Sequence, residues 1–381
     1  MLTKRSDKGL TILHAAIDYR FTLSCLEDIN RLENDWLALE YVSNCSFFLS
    51  WLWISTWIET YQPELKILRA YYNDEMVAIA TLVLNKQRRY WFLNSKTLHL
   101  NQTGDQEKDQ IWIEYNGFLA KERHLDNVTT SGIKFLIETL DLWDEMIVGA
   151  ITDHQATLLE NGGNLMRHNL WHAPCYGVDL KAIRSYNRDY LSTLSRNTRY
   201  QIQRSIKLYE QSGSLKIETA DSTNNAIRYF NEMGPLHIAR WGTGCGESGF
   251  ANPHFILFHE NLIRKCWEIG AVELLRLRQG DQVIARFYNF IYRKRVYFYL
   301  SGLVSENNGK LKPGLTGHSL CIQKYINEGL DFYDFMGGGE RYKKNLAEKH
   351  QQLVKVTLQK RKIKFIFERS ARRLKNTLLA S

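Results

Sequence analysis

The sequence predicts an α/β fold made of two related halves, and three observations carry that prediction. Apolar residues recur at helical spacing in Ser24–Glu40, Ser46–Thr60, Ser222–Met233 and Asn252–Glu268. Two stretches, one from Lys66 and one from Glu273, each read as three consecutive strands. These two stretches also match one another without a gap at an offset of 276 − 69 = 207, with Arg69/Arg276, Asp74/Asp281, Ala78/Ala285, Arg88/Arg295, Tyr90/Tyr297 and Leu93/Leu300 coinciding. Each copy turns at a polar pair, Asn73-Asp74 or Gly280-Asp281, continues through an apolar strand, turns again at basic residues and ends in an aromatic strand. Each half is thus helices followed by a meander, and the sheet expected in each is mixed and mostly antiparallel, flanked by helices.

Composition sets the frame. A chain of 381 residues, 44% hydrophobic and 12% aromatic, can bury a sizeable core, and its length fits two domains, taken as residues 1–180 and 181–381. The six cysteines are scattered without a C-x-x-C pair, so no zinc site or disulfide framework is indicated and a reducing, cytoplasmic setting is the simplest expectation. The basic N-terminus lacks the uninterrupted apolar stretch of a secretory signal. The most apolar window, Phe47–Ile58, is twelve residues long, against about 20 for a bilayer span. It reads as a buried aromatic helix; a membrane-interface role for its tryptophans is the alternative.

The net charge of +9 lies mostly in the tail. Residues 355–381 hold nine Lys/Arg and one acid, so 9 − 1 = +8, and the body carries only +1. No broad basic face for specific nucleic-acid binding is implied. The apolar Ile363, Phe365, Ile366 and Phe367 can dock the tail on the core, leaving Arg372, Arg373 and Lys375 solvated; contact with an anionic lipid surface or phosphorylated carrier is the other reading.

The chemistry concentrates after the second meander. Strand Val296–Leu303 runs into SENNGKLKPGLTGHSL and then a helix. Free N–H groups at a helix start, glycines that allow close approach and lysines that add charge make an anion site suited to a pyrophosphate; Asn308, Gly309, Lys310, Lys312, Gly314 and Gly317 are its candidates. In the first copy acids replace this loop, and no phosphate cradle is visible. The segment Leu330–Leu346 is a short strand carrying Asp334, then three glycines, then Tyr342, Lys343 and Lys344; the glycines suit either a ligand or a tight chain crossing. In Pro235–Trp241, His237 is a candidate base, and Arg240 with Trp241 can fix an anionic or sugar-like acceptor, although a lone histidine is more often structural. Between the halves, Ser185–Gly213 has apolar residues at roughly helical spacing, with Gly213 at its end and Arg196, Arg199, Arg204 and Lys207 on its polar face.

These elements, in this order, resemble the BioF-like acetyltransferase domain of the GNAT superfamily, found in proteins associated with cellulose and other exopolysaccharide synthesis. The resemblance spans nearly the whole chain through FFLSWLWISTW, YLSTLSRNTRYQIQRSIKLYEQSG, PLHIARW, KPGLTGHSL and, most specifically, GLDFYDFMGGGERYKKNL. Fem-type peptidoglycan aminoacyl transferases share the doubled fold and a similar closing pattern. The resemblance implies a splayed sheet in each half and acetyl-CoA or another acyl-CoA entering between two strands of the second, with the first half lacking a donor site of its own. It implies no metal. The superfamily's compact Q/R-x-x-G-x-G/A loop is replaced here by N-G-K-L-K-P-G-L-T-G, which leaves the donor open.

On this resemblance His237 or Asp334 is the base, Tyr342 the acid for the departing thiolate, and Arg240, Trp241 and Lys343 orient the acceptor. That acceptor is an amino or hydroxyl group of a sugar, polysaccharide or cell-envelope precursor. A Fem-like transferase using aminoacyl-tRNA and a non-catalytic scaffold in polysaccharide synthesis are the competing readings.

Overall fold

The computed structural model describes residues 5–6, 9–13, 19–89, 93–140, 143–244 and 246–369, and the chain divides into two compact units. The first comprises the chain up to His172 and again from Leu353 onward; the second is Ala173–Gln352. In chain order the first unit holds strands β1 (Arg5–Ser6), β2 (Gly9–Leu13) and β3 (Tyr19–Cys25), helices α1 (Ile29–Val42) and α2 (Trp51–Tyr61), and strands β4 (Leu65–Tyr72), β5 (Glu75–Arg89), β6 (Leu93–Leu100) and β7 (Leu119–Ala120). Helix α3 (Leu125–Thr139), strand β8 (Glu145–Thr152), helix α4 (Asp153–Gly163) and the start of β9 (Met166–Asp179) follow.

The second unit takes the rest of β9, helices α5 (Leu180–Ser185), α6 (Tyr190–Thr193) and α7 (Arg196–Glu210), then β10 (Leu215–Thr219). After these come α8 (Thr223–Asn231), α9 (Met233–Trp241), α10 (Pro253–Cys266), β11 (Val272–Gln279), β12 (Gln282–Tyr292) and β13 (Arg295–Leu303). Helix α11 (Pro313–Asn327), β14 (Phe332–Gly337), α12 (Arg341–Leu346) and β15 (Glu348–Gln359) complete it, β15 running on into the first unit.

Both units carry the expected mixed, mostly antiparallel sheet flanked by helices, and the duplication is visible in the strand register. Arg69 pairs with Ile79 and Arg276 with Arg286, and each first hairpin has its bulge just after, at Ala70/Tyr71 and Leu277/Arg278, all at the offset of 207. Asn73 and Asp74 both have positive φ, as a type I′ turn requires; in the second copy only Gly280 does, as in type II′. A helix carboxylate clamps the duplicated arginine in both units: Asp35 of α1 holds Arg69 at 2.8 Å, and Glu232, between α8 and α9, holds Arg276.

The gapless match does not extend through the third strand. β5 runs 15 residues and β12 only 11, turning at Arg293-Lys294, so the basic residues before Arg89 lie in a strand rather than at the turn. Thr97 of β6 pairs in parallel with Glu145, and Arg295 of β13 with Phe332, which makes the third-strand offset 295 − 97 = 198. Leu93 therefore does not correspond to Leu300, and Tyr90 lies outside the described residues. The longer second hairpin of the first unit, β5–β6, is the physical reason.

The helices sit close to expectation at four places, but the join is broken. Ser195 caps a new helix by accepting from the Thr198 N–H, so α6 and α7 are separate. Gly213 lies beyond the end of α7, at φ 152°, where a Cβ would press on the Gly280 backbone. The window Phe47–Ile58 forms a short 3₁₀ turn and most of α2, with Trp53 and Trp57 fully buried. No described helix is long and apolar enough to cross a membrane.

In the second unit the sheet order is β9-β14-β13-β12-β11-β10. Leu275, Leu277, Ala285 and Phe287 face Ile202 of α7 and Cys321, Ile322 and Tyr325 of α11 in one apolar core, while the alternate residues Arg276 and Arg286 reach Glu232. This is the period-two alternation of a strand packed on both faces. β13 and β14 pair in parallel over only three residues, Arg295–Tyr297 with Phe332–Asp334, and then part.

Candidate active site

Past the short pairing of β13 with β14, a cleft of about 490 Å³ lies along the end of β13 in the second unit. Leu236, Ala239 and Arg240 of α9 line one side, Ser301 and Leu303 of β13 the floor, and Lys312, Pro313, Gly314, Leu315 and His318 of α11 the other side, with Tyr342 of α12 at the inner end. Most of the lining is apolar, with a few polar groups converging on it, as in small-molecule sites generally.

The start of α11 is built to leave donors open. Its N-cap, Lys312, offers no side-chain cap, and Pro313 occupies the first turn, where its missing N–H costs nothing. Thr316 N–H already turns inward to Lys312 O at 2.9 Å, which leaves the N–H groups of Gly314 and Leu315 as the uncapped donors on the cleft wall. The helix start is pinned by α7 instead: Ser205 Oγ accepts the Lys312 N–H at 2.9 Å and the Thr316 hydroxyl at 2.8 Å.

The predicted donor-binding residues divide. Lys312 and Gly314 line the cleft, while Asn308, Gly309 and Lys310 form an exposed turn before it, in which Asn308 Oδ1 accepts the Lys310 N–H. Gly317 faces inward, where a Cβ would lie 2.6 Å from Phe287 Cε2, so its small size serves helix-to-strand packing.

The predicted catalytic residues also divide. Tyr342 is on the cleft, and its hydroxyl has no hydrogen-bond partner among the described residues. Burial, with Glu340 adding to it and Arg240 opposing, holds its pKa well above the usual phenol value, so it stays protonated. Asp334 is fully buried on the face of β14 opposite Tyr333 and Phe335, where Arg295 reaches it at 3.0 Å, the Met336 N–H at 2.7 Å and His350 at 3.5 Å. His237 is buried behind the α9 wall, its Nδ1 2.8 Å from Ser248 Oγ and its ring against Phe250; burial, reinforced by Arg240, lowers its pKa to about 4.

Of the predicted acceptor residues, Arg240 lines the cleft and lies over the half-exposed Trp241 ring at 5.1 Å. Lys343 is buried, donating to Gly337 O at 2.7 Å and pairing with Glu340. Gly338, at φ 150°, leaves no room for a Cβ beside Glu340 and Lys343, so this glycine of the triplet serves a tight chain crossing.

A further residue on the cleft, His318, is not among those the sequence motifs single out. It lies on the cleft between Phe287 and Phe298, and its ring is stacked on Tyr342, centroids 5.4 Å apart at 11°. A histidine five residues past a proline-started helix, in KPGLTGHSL, was the signal available.

The matching splay in the first unit is filled by side chains. β6 and β8 pair over three residues, Thr97–His99 with Glu145–Ile147, and then Gln102 Oε1 takes the Gly149 N–H at 2.9 Å. Asn101 bonds Thr81, Asn116 and the Gly117 carbonyl, and Asn116 bonds back to Leu100 and Ala150. Among the described residues, no group of three or more His, Cys, Asp or Glu is placed to hold a metal ion.

In the second unit, the splayed sheet with a helix start at its gap has the form of a GNAT-type domain. The family model of the acetyltransferase (GNAT) domain matches residues 196–344, the part of the chain that builds the cleft. Among solved structures, the chain is similar to FemX at 10% identity, covering 87% of this chain and 96% of that one with a TM-score of 0.53. It is similar to L-PGS from Bacillus licheniformis at 11% identity, 88% and 93% coverage and a TM-score of 0.51. It is also similar to the C-terminal domain of a putative lysylphosphatidylglycerol synthetase from Agrobacterium fabrum, at 9% identity, 86% and 91% coverage and a TM-score of 0.50. At such identities the likeness is one of fold. No curated protein matches the chain.

Proposed function

We propose that the protein is an acyl-CoA-dependent acyltransferase, moving an acetyl or longer acyl group to an amino or hydroxyl group of a sugar, polysaccharide or cell-envelope precursor. The observation that carries this reading is a single cleft that joins the uncapped start of α11 to the unpartnered Tyr342 hydroxyl. A pyrophosphate at the Gly314 and Leu315 N–H groups gains both hydrogen bonds and the positive end of the helix dipole, with Lys312 adding charge. The thioester then extends between β13 and β14 toward Tyr342. The nucleophile bonds to the carbonyl carbon, the carbon–sulfur bond breaks, Tyr342 gives its proton to the thiolate, and the nucleophile's proton passes to solvent. Arg240 and Trp241 at the mouth orient the acceptor. With His237 and Asp334 held in buried pairs, an amine already neutral when bound needs no base from the protein. The filled splay of the first unit supports a single donor site, in the second unit.

Calorimetry with acetyl-CoA and longer acyl-CoAs tests the donor. Lys312→Ala with Lys310→Ala should weaken binding, and Tyr342→Phe should slow transfer by about 10²–10⁴-fold with affinity unchanged. Folded wild type that binds no acyl-CoA refutes the reading. A second donor, aminoacyl-tRNA, is favoured by Arg196, Arg199 and Lys207 of α7, whose side chains have no hydrogen bond or ion pair among the described residues; its binding in place of acyl-CoA would select that reading. Failure to bind either donor would favour the scaffold.

We place the protein in the cytoplasm, with the tail touching the anionic inner face of the membrane. Ile363 and Phe367 are 72% and 71% exposed beside Lys364, and flotation with phosphatidylglycerol vesicles, absent with phosphatidylcholine alone, is the expected result.

A further inference from the structure

We infer that His318 is a catalytic residue of this cleft: its neutral Nε2–H donates a hydrogen bond to the acyl carbonyl oxygen as negative charge develops there. The inference rests on the acyl-transfer reading above and adds a group that neither the family match nor the sequence motifs assign.

The tautomer follows from Tyr333. This phenol is wholly buried, and its hydroxyl has one protein partner, His318 Nδ1 at 3.1 Å. A buried O–H donates to an acceptor within reach, and here that acceptor is Nδ1. Nδ1 is therefore the lone-pair nitrogen, and the ring proton sits on Nε2. The opposite tautomer would leave the Tyr333 O–H buried with nothing to accept it.

The position of Nε2 follows from the packing. Phe298 and Phe335 meet the imidazole edge-on, with ring centroids 4.5 Å and 5.0 Å away, and Tyr342 stacks on its face. His318 nevertheless lines the cleft, and among the described residues Nε2 has no hydrogen-bond partner and is not one of the buried, unpartnered side-chain atoms. It therefore opens on the cleft that Tyr342 also lines. The charged and titratable groups around the ring are Tyr333, Tyr342, Lys343 and Arg240; burial and the two cations keep the imidazole neutral, with a pKa near 3. A neutral donor in an apolar, preorganised site is the arrangement that stabilises an oxyanion. As the nucleophile adds, the C=O π pair moves onto oxygen and Nε2–H holds it without transferring its proton. On collapse the C=O re-forms, carbon–sulfur cleavage expels the thiolate, and Tyr342 protonates it.

The test compares His318→Ala, His318→Gln and Tyr333→Phe in the full chain, measuring acetyl-CoA affinity by calorimetry and thiol release with hydroxylamine as the acceptor. His318→Ala should lower kcat by about 10²–10³-fold, the effect of removing one oxyanion donor, with acetyl-CoA affinity held within about twofold. His318→Gln, whose amide N–H reaches the Nε2 position, should recover about tenfold or more of that loss. Tyr333→Phe, which frees the tautomer, should fall between wild type and His318→Ala. If His318→Ala does not fold, the glutamine and phenylalanine variants decide. Wild-type kcat in His318→Ala, or in both of those variants, overturns the assignment. A His318→Gln variant that binds acetyl-CoA normally yet turns over as slowly as His318→Ala also overturns it. Wild type that neither binds acetyl-CoA nor releases thiol removes the acyl-CoA reading and this inference together, whereas normal binding with an indifferent His318 removes this inference alone.

Discussion

Replacing Gly317 by alanine should destabilise the second unit while leaving donor affinity intact, and replacing Gly314 should do the reverse. An added Cβ at Gly317 would lie 2.6 Å from Phe287 Cε2, and closer still to Cζ. Carbon–carbon contact is comfortable at about 3.5 Å, so α11 and β12 must separate by about 1 Å. Phe287 is fully buried against His318 and Phe298 and has no free space to turn into. Overpacking of this kind costs about 1–3 kcal/mol, and this locked ring points to the upper end. Alanine's better helix propensity returns about 1 kcal/mol, for a net loss of about 2 kcal/mol. For a unit of this size that lowers Tm by about 4–8 °C. Gly314 meets only Leu303 Cδ1, at 3.0 Å, and lies on the cleft wall, so Gly314→Ala should keep Tm within about 2 °C and weaken acyl-CoA binding. Calorimetric melting with acyl-CoA titration reads both. A Gly317→Ala protein with unchanged or higher Tm and reduced acyl-CoA affinity would show that this glycine serves the ligand and that the packing argument is wrong.

Three further outcomes follow from the same structure. Ser205→Ala leaves the Lys312 N–H and the Thr316 hydroxyl without their partner, so stability should fall by about 1–3 kcal/mol and donor affinity should drop with it; urea denaturation showing no loss would count against the pinning role. Burial lowers the pKa of His99 and His237 to about 4 and that of His318 to about 3, against 6.5 unfolded, so below pH 6.5 the unfolded chain takes up protons that the native one refuses. Stability is then full above pH 6.5 and falls toward pH 4 by up to about 1.4 kcal/mol per pH unit for each histidine, and a flat profile from pH 7 to 4.5 would contradict this. Gly338→Ala forces a Cβ into the Glu340–Lys343 pair at φ 150°; a melting temperature equal to wild type would mean that the crossing is looser than described.

Local regularities were the legible part of this fold. The two first hairpins match in the positions of turn and bulge because a hairpin's register is set by residues close in sequence. The third strand could not be placed the same way. Its shift from offset 207 to 198 depends on how far β5 runs before turning, and the residues Lys86–Arg88 look alike whether they lie in a strand or at a turn. The parallel pairs β6 with β8 and β13 with β14 are non-local and left no pattern to read. Of the cleft's lining, Tyr342, Arg240, Lys312 and Gly314 are legible in the sequence because each belongs to a short motif next to a predicted turn or helix end. Asp334 is adjacent in sequence to Tyr333 but faces the other side of β14, where Arg295 takes its charge, and alternation alone does not say which face a ligand uses. His318 is not legible in the sequence because its importance comes from Tyr333 and Tyr342, residues that only the folded sheet brings beside it.

The last strand of the first unit's sheet has a consequence for synthesis. β8 is bordered by residues Leu353–Gln359 of β15, near the end of the chain, while the second unit is complete by Gln352. On a ribosome working from the N-terminus, the half made first must therefore wait for the half made last. Until then β8 presents an apolar, unpaired edge, the kind that recruits other strands. A protein cut short after Gln352 would keep every residue of the cleft and still lack the strand that closes the other sheet, so its failure would appear as aggregation during production and not as a defect in catalysis.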